Sequence, residues 1–322
     1  MKGIHEIIVQ NKRICYRFEL KRNITVIRGD SATGKTTLID MIQEYYEEGK
    51  ESGIILHSDK ECIVVSSNRR WKQELIGIED SIVFIDEGNK FVFEDEFASY
   101  IKSTDNYYVI VTREGIPTLP YSVKEIYGIR NSGKYGSLKQ VYNEFYPFYS
   151  INEESQIDKK EIILTEDSNS GYQFFESVTS EMEAKSETAG GKSNIFSKLQ
   201  ELNEIKRGQK ILVIADGAAF GSEIEKIEKM RRINDQIDLY LPESFEWMIL
   251  KSGILEEKKI KDILDYPADY IESKEYFSWE RFFTELLVRE TKNTQFQYFK
   301  SKLNKYYKMG QNKDKILNVM KN

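Results

Sequence analysis

The chain has 322 residues, 40% hydrophobic and 31% charged, with a formal net charge of −6, a globular composition long enough for two domains. No run approaches the about 18 apolar residues of a membrane span, residues 1–6 lack the apolar core of a signal peptide, and Cys15 and Cys62 stand in apolar stretches as reduced core residues, so a cytoplasmic protein without a membrane partner is expected. With only His5 and His57 a histidine-rich metal centre is excluded, and metal chemistry must rest on carboxylates, hence on Mg²⁺ or Mn²⁺.

Residues 6–9 and 14–18 alternate as two short strands around a turn. A β-branched strand at 23–28 then runs into Gly29-Asp30-Ser31-Ala32-Thr33-Gly34-Lys35-Thr36, a complete G-x-x-x-x-G-K-[ST] phosphate loop. Its glycines let backbone N–H groups face phosphate oxygens, Lys35 reaches the β- and γ-phosphates, and the Thr36 hydroxyl suits Mg²⁺. From Thr37 an apolar-periodic helix presents its N-terminus to the anion. ATP or GTP is the expected cofactor; no base-reading N-K-x-D motif separates them.

A strand at 62–65 is followed by Ser67-Asn68-Arg69-Arg70-Trp71-Lys72, read as an exposed loop with Trp71 pinned to the core. The run 81–85 is continuously apolar, as a strand buried on both faces is, and ends in Asp86-Glu87. Asp86 is expected to hold Mg²⁺ through a water opposite Thr36, and Glu87 to polarise an attacking water. A helix at 94–102 and a strand at 107–112 follow, then Arg113, either a γ-phosphate sensor or a surface arginine. A β-ribbon at 126–142 closes the first domain. The β–α–β alternation predicts a compact nucleotide-binding α/β domain at 1–148 with a parallel sheet, and the polar stretch 149–160 a linker.

A second α/β unit is expected at 161–254. Its strands at 161–165 and 210–215 end in Glu166-Asp167 and in Asp216, which a parallel sheet places at one edge. Glu223, one turn into the helix that follows Asp216, and Glu246, in the helix after Leu241, are further candidate metal ligands. A carboxylate-bound cation pair suits in-line attack on a phosphodiester by neutralising the attacking and leaving oxygens. Gly190-Gly191-Lys192-Ser193 reads as a Gly-rich turn opening a helix. Residues 255–322 are expected to be helical, and 291–322 carry eight lysines and one acid, about +7, against about −13 elsewhere. Phe296, Tyr298, Phe299, Tyr306 and Tyr307 interleave with these lysines, a pattern that either tracks a nucleic-acid backbone or packs its rings into a core.

The succession strand-Glu, helix, Gly-rich turn, helix, strand-Asp-Gly resembles the Toprim domain of topoisomerases, primases and certain nucleases. Joined to an N-terminal phosphate loop with Asp86-Glu87, it is similar to the overcoming-lysogenization-defect (OLD) family of ATP-dependent nucleases of mobile elements and anti-phage defence. The resemblance covers the phosphate loop, Asp86-Glu87 and roughly 161–250. It implies a P-loop NTPase fused to a Toprim-like domain, with Glu87, Glu166 and Asp216 catalytic, in a homo-oligomer acting on nucleic acid. Two departures stand out: the second acid of the Toprim D-x-D pair is replaced by Ala218, and Ser170 stands where the OLD pattern has an acid. The same residues also accommodate an NTPase switch whose second domain binds nucleic acid or a partner protein without cutting.

Overall fold

Period-two alternation at the start of the chain folds as β1 (His5–Gln10) antiparallel to β2 (Ile14–Leu20), with Val9 opposite Tyr16. This computed structural model describes residues 1–30, 33–132, 140–150, 155–205 and 208–321. It divides into two units, residues 1–150 with 266–277 and residues 151–265 with 278–322.

In the first unit β3 (Ile24–Ile27) is buried throughout and leads through the phosphate loop to α1 (Lys35–Glu48). Leu38, Ile39, Met41 and Ile42 recur at helical spacing and form the buried face of α1. Each contributes about 1.5–3 kcal/mol by leaving water. After α1 come β4 (Ile55–His57), β5 (Glu61–Val65), α2 (Trp71–Leu75), β6 (Ser81–Ile85), α3 (Asp95–Ile101), β7 (Tyr107–Val111), β8 (Ile126–Asn131) and β9 (Val141–Pro147).

The nine strands form one sheet in the order β4-β1-β2-β9-β8-β3-β7-β6-β5. From β8 to β5 the neighbours run parallel. Phosphate-loop strand β3 and acid-tipped β6 are therefore separated by β7, and all three present their C-terminal ends at one edge, where open α/β sheets bind ligands. The ribbon expected at 126–142 is β8 against β9, which pairs Ile129 with Phe145; residues 133–139 lie outside the described residues. Trp71 is buried as expected, stacked on Phe91 with ring centroids 5.2 Å apart.

Residues 266–277 join this unit. Ala268 accepts the Gly3 N–H at 2.7 Å, and the Ser273 hydroxyl donates to the Asp105 carbonyl at 3.0 Å. The C-terminal extension expected as one piece over 255–322 is thus shared between the units.

The second unit contains β10 (Ile162–Thr165), α4 (Ser170–Thr179), β11 (Lys185–Thr188), α5 (Ile195–Ile205), β12 (Ile211–Ile214), α6 (Ile224–Arg231), β13 (Ile237–Tyr240), α7 (Phe245–Lys251), α8 (Lys258–Asp265), α9 (Trp279–Thr291) and α10 (Gly310–Asn318). Its four strands are all parallel in the order β11-β10-β12-β13. β11 is a strand that sequence reasoning missed. Its Lys-Ser-Glu-Thr stretch has no apolar signal, and such polar residues suit a sheet edge.

The basic aromatic tail, expected to be helical, is only partly so. Between α9 and α10 the only helical turn is the 3₁₀ segment Lys305–Lys308. Tyr298 and Tyr307 are buried while Phe299 and Tyr306 are exposed, so only part of the ring set packs into the core.

Candidate functional site

The phosphate loop owes its shape to two glycines with positive φ, Gly29 at 136° and Gly34 at 91°. Gly34 caps α1, and its carbonyl accepts the Leu38 N–H at 3.0 Å. Lys35 is buried and folds back on the loop, donating to the carbonyls of Gly29 (2.7 Å) and Asp30 (2.6 Å) and to Thr33 Oγ1 (3.1 Å). The Thr33 hydroxyl in turn donates to the Asp30 carbonyl at 3.1 Å. Thr36 is exposed on the first turn of α1, and Thr37 is half-buried beside Tyr16. Ser31 and Ala32, expected to bind the cofactor through their backbone, lie outside the described residues.

Asp86 and Glu87 follow β6, and Arg113 follows β7 by two residues. Arg113 Nε is ion-paired with Glu87 Oε1. Burial lowers the Lys35 pKa; Glu87 is the strongest influence in the other direction, and Arg113, Asp30 and Asp86 also act on it. Asp86 is pushed up mainly by burial, against the pull of the Glu87 N–H and of Lys35. The phosphate-loop lysine, both β6-tip acids and Arg113 therefore share one electrostatic site. Asp86 Oδ1 is buried with no hydrogen-bond partner among the described residues, which fits the acceptor a hydrated Mg²⁺ requires.

A second pocket opens at the C-terminal edge of β10 and β12, lined by Glu166, Asp167, Ser170, Asp216, Glu246 and Lys300 among others. The Asp216 N–H donates to Glu166 Oε2 at 3.1 Å. Burial pushes the Glu166 carboxyl up to about 7, with Glu280 adding to the shift and the Asp216 N–H and Lys192 opposing it. Asp216 is raised well above its ordinary value by burial and by Glu280, Glu166 and Glu246, with Lys300 acting against them. Lys300 donates to Glu280 Oε1 at 2.6 Å. Around Asp216 the carboxylates of Glu166, Glu246 and Glu280 thus act together, opposed by Lys300.

The other expected ligands are variously engaged. Asp167 lines the pocket but folds back, accepting from Asn169 N (2.9 Å) and Asn169 Nδ2 (2.6 Å) at the start of α4. Buried Glu246 accepts from the Tyr298 hydroxyl at 2.6 Å, and Tyr298 also bonds Ser170 Oγ. Glu223 is not among the residues lining the pocket. It accepts from Ser222 Oγ at 3.2 Å, with Lys226 Nζ 3.6 Å from its other oxygen. Ala218, where a D-x-D pair would put its second acid, is buried in the 3₁₀ turn Gly217–Ala219. Among the described residues no group of three or more His, Cys, Asp or Glu side chains is arranged to hold a metal ion.

Glu280, Tyr298 and Lys300 were not foreseen as site residues. In the sequence Tyr298 and Lys300 stand only as part of the basic aromatic tail, and no spacing relates Glu280 to β10 or β12. The signal that could have found them is an acid in the first turn of α9 and a lysine two residues beyond a buried tyrosine, which is weak without the fold.

No protein-family model matches this sequence, and no curated protein matches it. No helix among the described residues is long and apolar enough to cross a membrane.

Proposed function

We propose that this chain binds and hydrolyses a nucleoside triphosphate, ATP ahead of GTP, at the phosphate loop, and that nucleotide state regulates metal-dependent cleavage of nucleic acid at the carboxylate pocket of the second unit. The observation that carries the reading is the convergence of Lys35, Asp86, Glu87 and Arg113 at the C-terminal edge of the first sheet. On this reading Lys35 exchanges the Gly29 and Asp30 carbonyls for phosphate oxygens, Thr36 and Asp86 flank the cation, and Glu87 orients water. Arg113 holds Glu87 in place through their ion pair.

In the second unit Glu166 and Asp216 are the ligands that fit a hard cation. Two carboxylates suffice for Mg²⁺ or Mn²⁺ when water and substrate phosphate complete the shell, and the shortage of positive charge around Asp216 favours a cation there. The bound cation would neutralise phosphodiester oxygens and supply an activated water. Lys300 adds one fixed positive charge to the same pocket. Beyond it, Phe299, Lys302, Lys305 and Tyr306 are exposed, an alternation of cations and rings suited to a nucleic-acid strand. A mobile-element or anti-phage defence role in a homo-oligomer rests on the OLD resemblance alone, and a cytoplasmic setting on the apolar surroundings of Cys15 and Cys62.

A second reading keeps the NTPase and makes the second unit a non-cleaving module that binds nucleic acid or a partner protein. Ala218 and Ser170 favour it, since each stands where the resemblance has an acid, and the Lys300 ammonium is already paired with Glu280. Supercoiled plasmid and single-stranded DNA incubated with Mg²⁺ or Mn²⁺, with and without ATP, separate the two. Cleavage abolished by Glu166→Gln and by Asp216→Asn supports the nuclease. Intact NTP hydrolysis with no cleavage by any variant supports the switch. Lys35→Ala is expected to remain folded and lose nucleotide affinity or turnover; hydrolysis at the wild-type rate by that variant would remove the first-unit assignment.

A further inference from the structure

We propose that Tyr16, on β2, is a positioning residue of the phosphate loop, its hydroxyl fixing the peptide that joins Gly34 to Lys35. The inference rests on the nucleotide-binding reading of that loop. Tyr16 is 1% exposed, and its Oη donates to the Gly34 carbonyl at 2.9 Å. The same carbonyl accepts the Leu38 N–H, the first bond of α1. A trans peptide is planar, with C=O and N–H pointing in opposite directions. Holding the Gly34 carbonyl against Tyr16 therefore turns the Lys35 N–H away from β2, and with it one of the donors a bound phosphate uses.

Two further observations make this a built contact. A Cβ placed on Gly34 would stand 2.8 Å from Tyr16 Oη, and the residue's φ of 91° already disfavours any side chain. Side-chain hydrogen bonding from Asn143 and Thr37 reaches the same phenol. Asn143 lies directly across from Tyr16 in the parallel β2–β9 register. The hydroxyl thus ties the loop and the start of α1 to the β2–β9 part of the sheet, which contributes no phosphate-loop or β6-tip residue.

The test is titration of the full chain with a fluorescent ATP analogue and Mg²⁺, alongside steady-state hydrolysis and thermal midpoints, for wild type, Tyr16→Phe, Asn143→Ala and Lys35→Ala. Loss of one neutral hydrogen bond predicts about a three- to tenfold rise in nucleotide Kd and KM for Tyr16→Phe. The change in kcat should be smaller, and Asn143→Ala should shift Kd in the same direction by less. Should Tyr16→Phe not fold, Asn143→Ala carries the comparison. Wild-type Kd in these variants, while Lys35→Ala loses binding, overturns the role of Tyr16. Failure of the wild type to bind any nucleotide overturns the phosphate-loop reading and this inference with it.

Discussion

Glu87 and Arg113 meet at the tips of β6 and β7, two strands whose every residue is buried. The sheet interior cannot admit a charge, so the first charged groups stand beyond the strand ends: Asp86 and Glu87 after β6, and Arg113 after β7. On the proposed function, Glu87→Gln keeps the shape and removes the base. It is expected to lower NTP hydrolysis by about 100-fold or more while leaving nucleotide affinity within a few-fold, read from phosphate release and from analogue binding. Arg113→Ala should lower turnover as well, because it frees Glu87 from its held position. Unchanged hydrolysis in Glu87→Gln would assign the water-polarising role elsewhere.

At the scale of elements, the turn after β12 is set by close backbone packing. The Gly217 N–H donates to the Pro242 carbonyl at 2.6 Å, and a Cβ at this position would lie 2.6 Å from the Leu241 carbonyl oxygen and 2.8 Å from that of Pro242. Neither backbone atom can move without shifting the chain after β13 that leads into α7, which carries Glu246. Gly217→Ala should therefore destabilise the protein by about 1–3 kcal/mol and, on the nuclease reading, weaken cleavage in step, measured by denaturant midpoint and plasmid nicking. The segment after α9 is likewise held to α4: Gln173 Nε2 donates to the Ser301 carbonyl and Gln173 Oε1 accepts the Leu303 N–H, both at 2.9 Å. These bonds lie just past Lys300, whose own carbonyl accepts the Ser170 N–H at 3.0 Å, and explain how a stretch without regular structure delivers a charge to the pocket.

For the whole molecule, the carboxylate pocket gives stability a definite pH dependence. Glu166 is raised from its ordinary 4.5 to about 7, so between those values the folded state binds more protons than the unfolded one. Stability from this group therefore falls as pH rises through about 4.5–7 and levels off above it. Glu166→Gln should flatten that fall relative to wild type in thermal midpoints measured across the window. Mg²⁺ or Mn²⁺, which needs the ionised carboxylates, should raise the wild-type midpoint more at pH 8 than at pH 5. An identical slope in Glu166→Gln would show that the pocket is not its source.

The sequence by itself determined the phosphate loop and the acid-tipped strands β6, β10 and β12, because glycine spacing and short apolar runs are local signals that survive in any fold. It also indicated two α/β units. The tertiary structure alone decided that β7 stands between β3 and β6, that residues 266–277 return to the first unit, and that Glu223 stays out of the pocket. It alone placed Glu280 and Lys300 beside Asp216, and Tyr298 between Ser170 and Glu246. Those partners are 50 or more residues apart in the chain. No propensity or periodicity relates such positions, and only the packing of α7, α9 and the segment after α9 in the second unit brings their charges within reach of one another.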